Sequence, residues 1–580
     1  MRIQFSEAED HSADIVIIGA GISGLYCAWR LIEHDPTRSI TIVDRLNRTG
    51  GRLDTDLIEV KPGQLVREEE GGMRFNYDMT ELMQVVSALD LCDEIVPFPM
   101  ASDVPGHGNT NRFFLRGRRF SNFEAAQGGN VIWSEIYRLD ESEKKLSPTD
   151  IVTNAYQAVL EQNGWTQPKQ STPEYWKEFR ETCSWNGVPL NQWQMWGLLR
   201  DMGHSHECIQ MLSESIGFAG PFKAPINAGD AFQILADFPK DPSYSTFRCG
   251  FSTLPNAVAD RLDGKVQIVL SANVDRIVRE GDRFELTLTK APDGESANPH
   301  IPGGATKKIK ADTLICAVAT TGMEQLFMTS PALSAQSDAE RLWDSIHAAK
   351  GMALMKINLY FEEPWWENGL IDPPVQFGPN FSDLPINAVY PFYAIQDPDP
   401  ALSAEESSLH QAAALTIYCD FDNTHFWEGL QNVGDLFDSP LQRRQNAQSP
   451  QVLFAASKQV VREARIQIGA LFGCEVPEPV LTSYRLWDGT NDFEHAYHQW
   501  RLGVVDSEVR AYLAAPIKGI NFCNEAISDM QGWVNGSLRS ANLVLEALGV
   551  PAMDEPPCAK PTKPETTTTP AIRTSGLWGG

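Results

Sequence analysis

The chain has 580 residues, with 48 Lys and Arg against 76 Asp and Glu, a formal net charge of −28. Hydrophobic residues make up 42% and charged residues 21%, ordinary globular values that exclude global disorder. The acidic excess argues against a nucleic-acid partner, because a phosphate backbone would be repelled, and suits a neutral or cationic small molecule.

The length corresponds to about four domains of average size. Ten cysteines are too sparse for a disulfide scaffold. Cys27, Cys316, Cys419 and Cys523 lie in apolar runs, the setting of buried, reduced thiols. The opening MRIQFSEAEDHSAD is polar and lacks a basic-then-apolar leader. No apolar stretch approaches the ~20 residues of a membrane span. The expectation is a reduced, cytoplasmic protein without a membrane partner.

Asp14–Ile18 is a short apolar, β-branched run suited to a buried parallel strand. A helical stretch follows from Ser23 to about His34, then a second strand over Ser39–Val43, making a βαβ unit. Gly19-Ala-Gly21-Ile22-Ser23-Gly24 fills the first turn, the setting a dinucleotide motif requires. Gly19 permits the tight turn, Gly21 lets a pyrophosphate reach the backbone, and Gly24 lets the helix pack on the strand. The helix start offers free N–H groups to the phosphates. Asp44 ends the second strand, twenty residues after Gly24, where an acid binds a ribose hydroxyl pair; an aspartate there disfavours a 2′-phosphate.

Residues 140–240 are Trp-rich and helix-forming. Strands return after Lys265 (VQIVL, VDRIV, FELTLT, ADTLICAVA) and around 350–420. Arg116-Gly-Arg118-Arg119 reads as a charged hairpin turn, and His204-Ser-His206-Glu-Cys208 is not expected to hold a metal. Gly519–Cys523 is again a short buried strand leading into a helix from about Gly532. The stretch from Pro551, rich in Pro and Thr, reads as a disordered tail. The expected fold is α/β. A discontinuous Rossmann-like nucleotide-binding domain takes 13–70, 244–335 and 483–548. A mixed-sheet substrate domain takes 71–135 and 340–482, a helical insert 136–243, and the tail 549–580.

Asp44-Arg45-Leu-Asn-Arg-Thr-Gly50-Gly51-Arg52 resembles the second signature of the flavin-containing amine oxidase superfamily, an acid followed by a GG-R turn. Ala272-Asn-Val274 resembles the strand whose valine packs on adenine, and Lys356 matches the lysine near the flavin. Asn524-Glu525 through Gly532-Trp533-Val534 to Ser537 resembles the C-terminal FAD signature, where the glutamate holds the ribityl chain. The resemblance runs over residues 13–548 and implies FAD as cofactor, with Arg45 and Gly51 beside it and Arg52 facing the pyrophosphate.

Glu69-Glu-Gly71-Gly72-Met73-Arg74 resembles the L-amino acid oxidase branch, in which this segment crosses the flavin and its arginine clamps the substrate carboxylate. A planar guanidinium matches a carboxylate with two parallel hydrogen bonds, which explains the residue type. Tyr390 and Trp533 are expected beside the substrate. The likeness implies oxidation of an L-amino acid to a 2-oxo acid, ammonia and hydrogen peroxide, with Lys356 assisting the oxygen step. The acidic stretch Asp488, Asp492, Glu494 resembles bacterial oxidases of L-arginine or L-lysine, with Glu494 as the specificity residue and Asp230 a weaker candidate. An amino acid monooxygenase and a non-catalytic flavin-binding protein are the alternatives. A homodimer is common in the family.

Overall fold

The computed structural model describes residues 2–165, 172–236, 244–291, 305–395, 410–448, 454–490 and 494–560. Asp492 and residues 561–580 lie outside them.

Ile15, Val16 and Ile17 have no exposed surface, because their strand, His11–Ile18, lies inside a parallel sheet covered on both faces. Its parallel neighbours are Ile40–Val43 and Thr306–Cys316. The sheet has eight strands, ordered Arg2–Gln4, Gln267–Leu270, Ile40–Val43, His11–Ile18, Thr306–Cys316, Arg283–Lys290 and Ala272–Glu280. Ile520–Phe522 adds to the Thr306–Cys316 strand. The start, middle and end of the chain thus build one nucleotide-type sheet, as the strand texture implied. The helix Ile22–His34 makes the first crossover.

The second sheet is centred on Leu354–Phe361, every residue buried, between the antiparallel strands Ala413–Asp420 and Leu481–Trp487. The hairpin Thr55–Lys61/Gln64–Glu69, assigned above to the nucleotide domain, belongs here. It pairs with Ala388–Ile395 through Val66 and Ala394. Its sequence follows the nucleotide strands directly, but its free edge finds its partner in the other sheet. The expected Arg116 turn joins Arg112–Leu115 to Arg118–Ser121.

The helical part includes Pro148–Gln162, Pro173–Thr182, His206–Ser215 and Ala228–Ala236. Ser147 caps the first with Asp150 in a reciprocal box, and Pro148 begins it without losing a needed N–H. Tyr156, Trp176, Phe179 and Phe232 pack into its aromatic core. Arg180 ties this part to the rest through a buried ion pair with Asp506 at 3.0 Å.

The tail needs correction at its start. Cys558 is disulfide-bonded to Cys92, so the chain is not wholly reduced. Arg30 donates to the Pro551 carbonyl at 3.1 Å, and Ser87 donates to Glu555 at 3.3 Å. A covalent link from far away in sequence holds a segment whose composition favours disorder. Cys27, Cys316, Cys419 and Cys523 are buried free thiols, as expected.

Candidate active site

A cavity of about 430 Å³ opens at the carboxyl ends of the parallel strands. Gly19 has φ +109°, and a Cβ there would lie 2.7 Å from the Ala317 carbonyl oxygen. A Cβ on Gly21 would meet nothing within 4 Å, which leaves the helix start open toward the cavity. No side chain caps that helix start. Gly24 does not line the cavity; a Cβ there would strike the Gly19 carbonyl at 2.0 Å, so it serves helix packing. Ile22, Ser23, Asp44, Arg45, Gly51 and Val274 all line the space. Asp44 accepts from Ala20 N at 2.6 Å and Leu46 N at 2.8 Å, which orients its carboxylate at the strand end. A glycine turn, an open helix start and an oriented acid together fit a dinucleotide.

Gly532, Trp533, Val534 and Ser537 line the far end of the same cavity. Gly532 adopts φ +83°, and its N–H donates to Glu525 at 2.7 Å. The other Glu525 donors are Arg52 Nη1 at 2.7 Å, His498 N at 2.9 Å and His498 Nδ1 at 2.9 Å. Burial works to raise this carboxyl's pKa, but Arg52, His498 and Gly532 outweigh it and hold the group at about 2. Glu525, expected to hold the ribityl chain, lines this cavity, and its two oxygens also tie Arg52 to the Gly532 turn.

A second cavity of about 130 Å³ adjoins the first, sharing Arg52, Leu53, Gly72, Trp487, Ala496, Gly532, Trp533 and Val534 with it. Gly71 packs so tightly on the Arg52 carbonyl that a Cβ would lie 1.9 Å from its oxygen. Gly71, Met73 and Arg74, counted above among cofactor residues, line only this smaller space. Arg74 is 7% exposed, its guanidinium carbon 5.0 Å from the Tyr244 ring centre and 5.9 Å from that of Tyr390. Trp533 stacks on Tyr244 at 6.0 Å. Arg74 Nη1 donates to Met100 Sδ at 3.7 Å, and Tyr390 is a further hydrogen-bond partner.

Lys356 lies on the buried Leu354–Phe361 strand and reaches the same cavity. Its Nζ donates to the carbonyls of Glu69 and Gly71, each at 2.6 Å. Burial lowers its pKa, against the pull of Glu69, Glu70 and Glu68, to about 8.

Glu494 is the main correction among site residues. It lines the larger cavity, not the smaller, and its oxygens accept from Thr321 N at 3.4 Å and Gly322 N at 3.3 Å. It thus caps the helix Thr320–Thr329, and at this half-buried position it is held at about 2 by His495, His498 and Thr321. Asp230 also faces the backbone, accepting from Trp500 N at 3.0 Å. The smaller cavity is walled instead by Phe218, Ile234, Leu354, Tyr418 and Tyr497, none of which the sequence reading singled out. All but Phe218, which lies between the helices His206–Ser215 and Gly220–Lys223, sit within strands and helices, where sequence alone signals only core. Thr321 and Gly322 were likewise missed, although a helix start directly after the ADTLIC strand repeats the strand–turn–helix signal of residues 14–24. His204 Nδ1, Cys208 Sγ and a Glu143 oxygen lie within 4.8 Å of one another. Glu143 there accepts from Ser205 N at 2.6 Å and Ser205 Oγ at 2.7 Å, anchoring the start of the His206–Ser215 helix.

Residues 22–431 match the sequence pattern of the flavin containing amine oxidoreductases. The chain belongs to that family. Its cofactor is FAD, which the larger cavity fits. Achacin of Lissachatina fulica is 23% identical over 503 residues, 85% of this chain and 84% of achacin. An uncharacterized protein of Acanthamoeba polyphaga mimivirus is 21% identical over 95% of this chain and 98% of its own. In fold, the chain resembles putrescine oxidase bound to putrescine, with TM-score 0.56 and 16% identity over 93% of this chain and 99% of that one. Cyclohexylamine oxidase from Brevibacterium oxydans gives TM-score 0.53 at 16% identity, with the same coverage. The family makes this flavoprotein an oxidoreductase. No helix among the described residues is long and apolar enough to cross a membrane.

Proposed function

We propose that this flavoprotein is an FAD-dependent L-amino acid oxidase. The observation that carries the reading is Arg74, a buried guanidinium on the wall of the small cavity, directly after the Gly71–Gly72 segment. A buried cation beside tyrosines is a partner for a carboxylate, and two parallel N–H donors fix the orientation of an α-carboxylate. A simple amine has no group for it. When bound, FAD supplies the acceptor for the hydrogen and electrons leaving Cα and passes the electrons to oxygen.

The chain's own residues orient and enclose. Arg74 holds the carboxylate, Tyr390 backs Arg74 from outside the cavity lining, and Trp533, stacked on Tyr244, forms an aromatic wall beside it. Lys356 holds a proton donor at the cavity wall. Phe218, Ile234, Leu354 and Tyr418 exclude water from the reacting centre. The imino acid product hydrolyses to a 2-oxo acid and ammonia, with hydrogen peroxide as the other product.

Glu494, the acid expected to select L-arginine or L-lysine, caps a helix at the other cavity. Around Arg74 and Lys356 the small cavity is walled by Phe218, Ile234, Leu354 and Tyr418, which favours a neutral, apolar or aromatic side chain, since a cationic one would lose its hydration there and meet two cations. The test is anaerobic addition of single L-amino acids to the yellow protein, then air and product analysis. Bleaching followed by 2-oxo acid, ammonia and peroxide is the expected result, and an amide with carbon dioxide would instead identify a monooxygenase. Absence of bleaching with every L-amino acid would refute the assignment.

A further inference from the structure

Behind the small cavity lies a group of acids that the reading above does not use. Asp56 and Glu68 stand directly opposite each other across the Thr55–Lys61/Gln64–Glu69 hairpin, so their side chains share a face. Glu70 follows two residues on and lines the cavity. Asp56 is 2% exposed, Glu68 0% and Glu70 1%. Thr416 donates to one oxygen of Glu68 at 2.8 Å, and Asn358 and Ser483 donate to one oxygen of Glu70 at 3.0 Å and 2.8 Å. Neither oxygen of Asp56, nor the second oxygen of Glu68 or Glu70, receives a hydrogen bond from a protein donor.

Each element packed against them contributes. Lys356, Asn358 and Tyr360 face them from the Leu354–Phe361 strand, Thr416 from Ala413–Asp420, and Ser483 and Arg485 from Leu481–Trp487. Arg485 lies 3.9 Å from Glu70 and 3.6 Å from Asp54, which also pairs with Arg48 at 2.9 Å. Carboxylates so close and so dry do not all ionise. A proton on Asp56 turns one orphaned acceptor into a donor, and the second oxygen of Glu70 is the acceptor within its reach.

We propose that the Asp56–Glu70 carboxyl pair holds the proton that the oxidase reaction releases in its first half and consumes in its second. This rests on the oxidase reading. In the first half the substrate ammonium loses an N–H proton to Glu70. The Cα–H bond then breaks, its hydrogen and two electrons pass to FAD, and a C=N bond forms; the substrate is oxidised and FAD reduced. In the second half oxygen would take the two electrons and the hydrogen from the reduced cofactor, and the stored proton, passed on through the Lys356 ammonium at the cavity wall, completes hydrogen peroxide. The proton count closes over the cycle without exchange with bulk water. At rest the pair shares one proton; after substrate oxidation it carries two. Burial keeps Asp56 well above the ordinary carboxylate range, which suits it to the resting proton.

Two measurements test this. The infrared spectrum of the substrate-free protein, with and without FAD, is expected to show C=O absorption of protonated carboxyls at neutral pH, smaller by one carboxyl in Asp56→Asn while the buried Glu68 keeps its own. Equal absorption in the wild type and Asp56→Asn overturns the proposal whatever the activity. Anaerobic reduction by a saturating L-amino acid, in weakly buffered solution with a pH-indicator dye, is then compared between wild type and Glu70→Gln. The wild type is expected to bleach with no proton appearing in bulk, and Glu70→Gln to release one per flavin reduced. Proton release by the wild type overturns the store. If Glu70→Gln does not fold, the wild-type dye trace and the Asp56→Asn difference still decide. If no L-amino acid bleaches the flavin, the oxidase reading falls and the store's role falls with it, while the infrared difference still reports the shared proton.

Discussion

Replacing Glu525 by Gln removes one charge and changes almost no volume, yet it strikes the point where the two cavities meet. Each oxygen of Glu525 accepts two hydrogen bonds, one from Gly532 N and His498 N, the other from Arg52 and His498 Nδ1. Whichever oxygen becomes the amide nitrogen, two donors face a donor. Two charge-assisted bonds are lost, at about 1.5–3 kcal/mol each. Linkage gives a second route to the size: a carboxyl lowered from 4.5 to about 2 contributes about 3 kcal/mol at neutral pH. The two agree on roughly 3 kcal/mol or somewhat more. The folded pKa is depressed, so this stabilisation is full above pH 4.5 and disappears as pH falls toward 2. Glutamine carries no such dependence. The assay is the urea midpoint of the FAD-free protein, wild type against E525Q, from pH 7 downward, with FAD affinity measured in parallel. The gap is expected to narrow below pH 4.5. Glu494 and Asp529, also held at about 2, are present in both proteins and cancel in the difference. A gap that stays constant with pH would refute the electrostatic reasoning.

Arg74→Met is expected to lower kcat/KM for L-amino acids ~100- to 1,000-fold, about 3–4 kcal/mol, by removing one partner of a buried charge pair. FAD content should not change, because Arg74 lines only the small cavity; loss of FAD would make the residue structural. Lys356→Met should slow flavin reoxidation in stopped-flow mixing with oxygen. The wild-type rate should decline as pH rises through about 8, where Nζ loses its proton, and the variant should lack that step. A pH-independent wild-type rate would count against the ammonium as proton donor. Cys92→Ser should release the 551–560 segment to limited proteolysis and cost about 2–4 kcal/mol of stability. An unchanged cleavage pattern would show that the segment's other contacts suffice.

The first βαβ unit was legible residue by residue, since its information is local: a β-branched run, three glycines at fixed spacing, and an acid at a strand end. Asp44, Val274 and the Gly532–Ser537 turn were likewise readable, and all of them line the larger cavity. Arg74 and Lys356, singled out by short motifs, both line the smaller cavity. Glu494 was misread because an acid near a pocket in sequence has many destinations, and the N–H groups of Thr321 and Gly322 become its partners only after folding. The 55–69 hairpin was assigned to the wrong sheet for the same reason, because a strand's neighbours in sequence do not decide which edge it meets. The tail was read as loose because composition says nothing of the distant Cys92.

The sequence by itself determined the cofactor and the oxidoreductase family, because dinucleotide binding resides in backbone turns and single side chains at fixed spacing. Tertiary structure alone decided the shape of the substrate space and the gathering of Asp56, Glu68 and Glu70. Those depend on side chains far apart in sequence sharing one dry volume, where the cost of leaving charges and hydrogen bonds unmatched decides which groups ionise and which partners they keep.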